Sequence, residues 1–139
     1  YGHHPTEIRT TLDAVRKSWP GRRLVVMFQP HRYTRTRDLF NDFTRAFYES
    51  DVLLLLPVYS AGEAPIEGAD APALYAGIKK YGHKDVHIFD AMAAAVAGAS
   101  EMLNTGDIFL TLGAGDVWKA GRMLLDQMEA GGHGEERWR

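Results

Sequence analysis

The chain has 139 residues, 45% hydrophobic and 24% charged, a balance that suits one soluble globular domain and excludes a disordered or collagen-like chain. It has no cysteine, which removes disulfide scaffolds, thiol nucleophiles and cysteine-ligated zinc. The net charge of −2 conceals an asymmetry: residues 1–37 carry eight Lys/Arg against two acids, the remainder eight against sixteen.

The chain opens on Tyr1-Gly2-His3-His4-Pro5-Thr6-Glu7 rather than on a methionine, and reads as a piece of something longer. Neighbouring histidine side chains rarely converge on one ion and no third ligand follows at helical spacing, so no metal site is assigned. His4 or Thr6 is a candidate cap for a first helix, with Pro5 in its opening turn. His3 is a loop histidine that can donate to a ligand oxygen if it faces the arginines further on. Ile8, Leu12, Val15 and Trp19 form one helical face, closed by Pro20-Gly21.

The first apolar run, Leu24–Phe28, reads as a strand buried on both faces. After it comes Gln29-Pro30-His31-Arg32-Tyr33-Thr34-Arg35-Thr36-Arg37. A helix opens within a few residues of Pro30, and a helix amino terminus attracts anions. Arginines crowded there grip a carboxylate or phosphate through paired hydrogen bonds. The compact cluster fits a small anion better than a long phosphate backbone, so nucleic acid is not expected. The competing reading is a solvated basic turn that pairs with the acidic remainder. Leu39, Phe43 and Phe47, widened by Phe40, then predict one helix.

Val52–Leu56, a purely apolar run of five residues, is the second strand. It is far too short to span a bilayer and no signal peptide precedes it, so a cytoplasmic setting without a membrane is expected. The loop Pro57–Gly68 is long for a compact α/β domain, with Tyr59 and Glu63 as candidate contacts; the alternative is a surface excursion closing the sheet edge. Asp70 and Pro72 open a helix carrying Leu74 and Ile78. Val86–Phe89 is the third strand, Met92, Val96, Ala99 and Leu103 the next helix, and Ile108–Leu112 the last strand. Gly113-Ala114-Gly115-Asp116 is a glycine turn that lets backbone approach a ligand, but position 118 is Trp118, so the dinucleotide fingerprint is incomplete. Val117, Leu124 and Met128 mark a final helix. Strand and helix alternate throughout, which predicts an α/β fold: a Rossmann-like three-layer sandwich with a mostly parallel sheet and helices on both faces. Residues 1–130 form the domain and 131–139 a flexible tail. A Gly-x-x-x-x-Gly-Lys-Ser/Thr phosphate loop, a Gly-x-Ser-x-Gly elbow and a His-Glu-x-x-His pair are all missing, so any part in catalysis is the holding of a substrate.

Tyr-Gly-His-His-Pro-Thr-Glu-Ile at 1–8, Gln-Pro-His-Arg-Tyr-Thr-Arg-Thr-Arg at 29–37, Tyr-Ser-Ala-Gly-Glu-Ala-Pro-Ile at 59–66 and Leu-Gly-Ala-Gly-Asp at 112–116 resemble, in order, the carboxy-terminal domain of the Mur ligase family of peptidoglycan synthesis. They look like its branch that joins L-alanine to UDP-N-acetylmuramate. The resemblance implies a full enzyme that uses ATP and Mg2+ to activate the sugar carboxylate as an acyl phosphate, which the alanine amine attacks. Those cofactors would be held mainly by a central domain, and the UDP-sugar by an amino-terminal one; no cofactor, metal or catalytic group is expected here. By motif, Arg32 and Arg35 would meet the incoming amino acid's carboxylate or the nearby reacting oxygens, with His31 beside them, His3 facing substrate and Tyr1 at a hinge near nucleotide or acceptor. The fragment alone is expected to be inactive. The alternatives are the related ligase that recycles whole cell-wall peptides onto the same sugar, and a stand-alone anion-binding module.

Overall fold

A computed structural model describes residues 4–113 and 115–130. The four apolar runs become the strands β1 (Leu24–Gln29), β2 (Val52–Leu55), β3 (Val86–Ile88) and β4 (Ile108–Gly113). They form one all-parallel sheet in the order β3-β2-β1-β4, with Val25 opposite both Val52 and Phe109. Side chains alternate across a strand, so each run feeds two cores. Leu24, Val26, Phe28, Leu53, Leu55 and Leu112 pack on one face, against Ile8 and Leu12 of α1 (Pro5–Ser18) and Leu74 and Ile78 of α4 (Ala71–Lys80). Val25, Met27, Val52, Leu54 and Leu56 pack on the other, against Ala95, Val96 and Ala99 of α5 (Met92–Met102) and Ala120 and Leu124 of α6 (Lys119–Ala130). Helices therefore cover both faces, as the pattern predicts.

The helix starts follow from local chemistry. His4 caps α1: its Nδ1 accepts the Thr6 N–H at 3.2 Å, and Pro5 fills a first-turn position where no backbone donor is needed. Asp70 caps α4 by accepting the Ala73 N–H at 3.0 Å. The helix expected over Leu39–Phe47 is shorter, α3 (Phe40–Thr44), followed by a turn and preceded by a separate short α2 (Tyr33–Asp38), the two parted at Leu39 with φ −112° and ψ 20°. Asn41, Asp42 and Thr44 are weak helix formers, and Thr44 Oγ1 donates to the Asn41 carbonyl at 2.7 Å. Phe43 and Phe47 are drawn onto Phe28, with ring centroids 5.6 and 4.9 Å away, so Phe47 is buried from a turn rather than from a helix. Val117 likewise packs from the turn before α6. No helix among the described residues is long and apolar enough to cross a membrane. The expected tail, 131–139, lies outside the described residues.

Candidate functional site

The strand order locates the crevice. The chain steps from β1 to β2 to β3 in one direction, then passes back to set β4 on the other side of β1. The connecting helices change face at the same point: α4 lies on one face, α5 and α6 on the other. Such a reversal leaves an opening beyond the carboxyl ends of the two strands that flank it, here β1 and β4. The loops that follow them are the arginine stretch and the glycine turn.

The 57–68 loop closes over this opening rather than over a sheet edge. Tyr59 N–H donates to the Pro30 carbonyl at 2.8 Å and Arg32 N–H to the Tyr59 carbonyl at 2.7 Å, prolonging the β1–β2 pairing past Pro30 as a bridge between His31 and Tyr59. The His31 and Tyr59 rings stack, 5.5 Å between centroids and 8° from parallel. Gly115 fits beneath the Tyr59 ring, where a Cβ would stand 3.2 Å from ring atoms, and its φ of +80° also favours glycine. Gly113 faces Gln29 in the β1–β4 register, and a Cβ there would come 2.5 Å from the Gln29 carbonyl oxygen. Both glycines of the turn thus have a packing reason. Ala114 between them lies outside the described residues.

Glu63 ties the loop down from its far side. Its carboxylate accepts from Thr34 twice, Oε1 from the backbone N–H at 3.1 Å and Oε2 from the hydroxyl at 2.6 Å. The Thr34 hydroxyl and N–H, helped by the nearby Arg32 charge, hold this carboxyl below the usual carboxylate range. The negative charge that the start of α2 attracts is therefore internal. Glu63, read from the sequence as a ligand contact, has both oxygens on Thr34.

Arg37 pairs with its neighbour Asp38 at 3.0 Å, but among the described residues no carboxylate lies within ion-pair distance of Arg32 or Arg35. Arg35 Nη1 stands 3.5 Å from His31 Nδ1, so the two side chains face each other. Arg32 is exposed, on backbone at φ 68° and ψ 137° that L residues seldom adopt. Its carbonyl accepts from Thr36 N–H at 3.1 Å and from Thr36 Oγ1 at 2.9 Å, and with the bond to Tyr59 these pin that conformation. His31, Arg32, Arg35, Tyr59, Gly113 and Gly115 are thus brought to one place; Tyr1 and His3 lie outside the described residues. Sequence reasoning missed Thr34 and Gln29. Thr34 gives no signal, because its partner is 29 residues away; Gln29 is visible as the one polar residue in the LVVMFQ strand.

A second cleft, about 630 Å³, lies at the opposite pole, before β2 and β3, between Phe47, Tyr48, Ile78, Tyr81 and His83. Ser50 Oγ and His83 Nε2 are 2.8 Å apart there, but this is not a nucleophile and its base. His83 Nδ1 accepts from Asp85 N–H at 3.2 Å, so Nε2 carries the proton, and the Ser50 hydroxyl donates to the Phe47 carbonyl. Burial holds His83 below the ordinary histidine value, toward the neutral form that these bonds require. Among the described residues no group of three or more His, Asp or Glu could hold a metal ion.

The family model for the Mur ligase, glutamate ligase domain matches residues 1–115. UDP-N-acetylmuramate–L-alanine ligases of Desulfosudis oleivorans and Geobacter sulfurreducens are 57% and 50% identical, each over 93% of this chain and 28% of the relative. The chain thus spans little more than a quarter of the length of the curated relatives it matches. Among solved structures, the UDP-N-acetylmuramate-alanine ligase of Thermotoga maritima superposes with a TM-score of 0.69 at 22% identity, covering 94% of this chain and 26% of that one. A murein peptide ligase of Psychrobacter arcticus gives 0.67 at 17%, covering 91% and 26%. These two likenesses speak for the fold alone; the family model and the sequence relatives go further, and the chain belongs to the Mur ligase family.

Proposed function

We propose that this chain supplies the acceptor side of a ligase that joins L-alanine to UDP-N-acetylmuramate, the reaction named in its sequence relatives. ATP with Mg2+, expected on the part of the relatives that this chain does not span, would supply the phosphoryl group that activates the sugar carboxylate. The residues here bind and orient the attacking partner. Arg32 and Arg35 clamp the alanine carboxylate, since a guanidinium fork matches a carboxylate through two parallel hydrogen bonds. His31, held by the Tyr59 stack, sets the wall beside Arg35. The 57–68 loop, fastened through Glu63 and Thr34 and paired with the Arg32 backbone, holds the segment that carries the arginines in place. No group in the chain is asked to make or break the covalent bond, so the chain alone is expected to show no turnover.

The observation that carries this reading is the pair of guanidiniums that follow β1, on Arg32 and Arg35, with no carboxylate partner among the described residues, the first of them on strained backbone. In the full-length protein that carries this chain, Arg32→Ala and Arg35→Ala should each raise the KM for L-alanine roughly 10- to 150-fold. That is the loss expected for about 1.5–3 kcal/mol of charge-assisted hydrogen bonding. KM values within twofold of the parent in both variants would remove the assignment.

A further inference from the structure

Gln29 carries the only buried side-chain polar atom among the described residues that has no hydrogen-bond partner. It ends β1 at the switch in strand order, between Pro57 beyond β2 and Gly113 of β4. Its Nε2 donates to the Pro57 carbonyl at 3.4 Å, and its Oε1 is buried and unpaired. Turning the carboxamide over would set oxygen against that carbonyl oxygen, so the orientation follows from chemistry. A buried acceptor left unpaired carries its full desolvation penalty, and groups of this kind are tolerated where a ligand completes them.

We infer that Gln29 Oε1 accepts a hydrogen bond from the amine of the incoming amino acid; this rests on the ligase reading above. Arg32 and Arg35 take a carboxylate on the segment that follows Gln29, and an α-amino acid carries its amine on the carbon next to that carboxylate. One reactant therefore offers an anion to the arginines and N–H donors to the carboxamide. The residue type suits the task. A neutral amide oxygen orients an amine through an N–H and leaves the nitrogen lone pair to attack, whereas a carboxylate there would favour the ammonium, which has no lone pair. The tether permits the contact: the bond to Pro57 is long, Gln29 as a residue is partly exposed, and its last torsion is soft, so the carboxamide swings toward the crevice when a donor arrives.

The test uses the full-length protein that carries this chain, with Gln29→Met, which keeps the volume and removes the acceptor, and the isosteric Gln29→Glu. Gln29→Met should raise the KM for L-alanine about tenfold while the melting temperature holds or rises. Gln29→Glu should move the acid limb of the kcat/KM pH profile to higher pH, because the new carboxylate holds the amine as its ammonium. A merely structural residue would not move that limb. A KM within twofold in Gln29→Met, or an unmoved limb in Gln29→Glu, overturns the inference. Arg32→Ala separates the two claims. If it raises KM while the Gln29 variants behave as the parent, this inference falls alone; if the protein does not ligate L-alanine at all, the reading beneath it falls too.

Discussion

Arg32 sits at φ 68° and ψ 137°, where a Cβ is crowded and glycine is at ease. Holding an L residue there costs about 1–3 kcal/mol, and three backbone-directed bonds, to Tyr59 and from Thr36, keep it in place. Stability alone would favour glycine at this position. Arg32→Gly is therefore expected to raise the stability of the chain by about 1 kcal/mol in urea unfolding, after allowing about 0.5–1 kcal/mol for the freer unfolded state of glycine. Arg32→Ala, which keeps the Cβ and the strain, should unfold close to the parent. A glycine variant less stable than the alanine variant would show that the backbone is not strained. The comparison isolates strain from charge, because both variants remove the guanidinium and only one removes the Cβ.

Between elements, the legible features were those written in one stretch of sequence. Continuous apolar runs such as Leu24–Phe28 announced strands covered on both faces, and Asp70 with Pro72 announced the start of α4, because burial and capping act over a few residues. The breaks at Leu39 and after Thr44 were not legible: the Phe43 and Phe47 spacing fits one helix equally well, and the position of Phe28 beneath them, together with weak helix formers between, leaves Phe47 on a turn. The site shows the same division. The arginines and the glycine turn stood out by composition, but the Glu63–Thr34 tether and the Gln29–Gly113 approach arise only when distant loops meet. Gly113 makes that approach testable. An alanine Cβ would lie 2.5 Å from the Gln29 carbonyl oxygen, and backbone on two paired strands cannot yield as a side-chain tip can. With φ at +131° as well, Gly113→Ala should cost about 3 kcal/mol or more, read as a lower urea midpoint at unchanged slope. A loss under 1 kcal/mol would mean that β4 pairs with β1 less tightly at this end than the register implies.

Over the whole molecule, the uneven charge of the sequence resolves into two poles. At the amino ends of the strands, arginines of the basic opening stretch pair with acids of the remainder. Arg16 meets Asp51 at 2.9 Å, and Asp51 also takes the Leu24 N–H. Arg23 gives two bonds to Asp107, at 3.1 and 2.7 Å, while Asp107 accepts from Asn104 N–H and is only 7% exposed. At the carboxyl ends Arg32 and Arg35 have no such partner among the described residues, so the same residue type is structural at one pole and available to a ligand at the other. The two roles predict opposite signatures. Asp107→Asn keeps shape but strips the charge from a nearly buried carboxylate, leaving Arg23 with its bond to the Met102 carbonyl. It should lower stability by about 2 kcal/mol and leave the KM for L-alanine within twofold, because no part of its network reaches the crevice. Arg32→Ala should do the reverse, raising KM at a stability within about 0.5 kcal/mol of the parent, because it removes only an exposed side chain and leaves the Cβ and its backbone strain as they are. Urea midpoints and alanine saturation curves on both variants decide the matter: if Asp107→Asn raised KM as much as Arg32→Ala, the poles would be coupled and the separation of scaffold from recognition would fail.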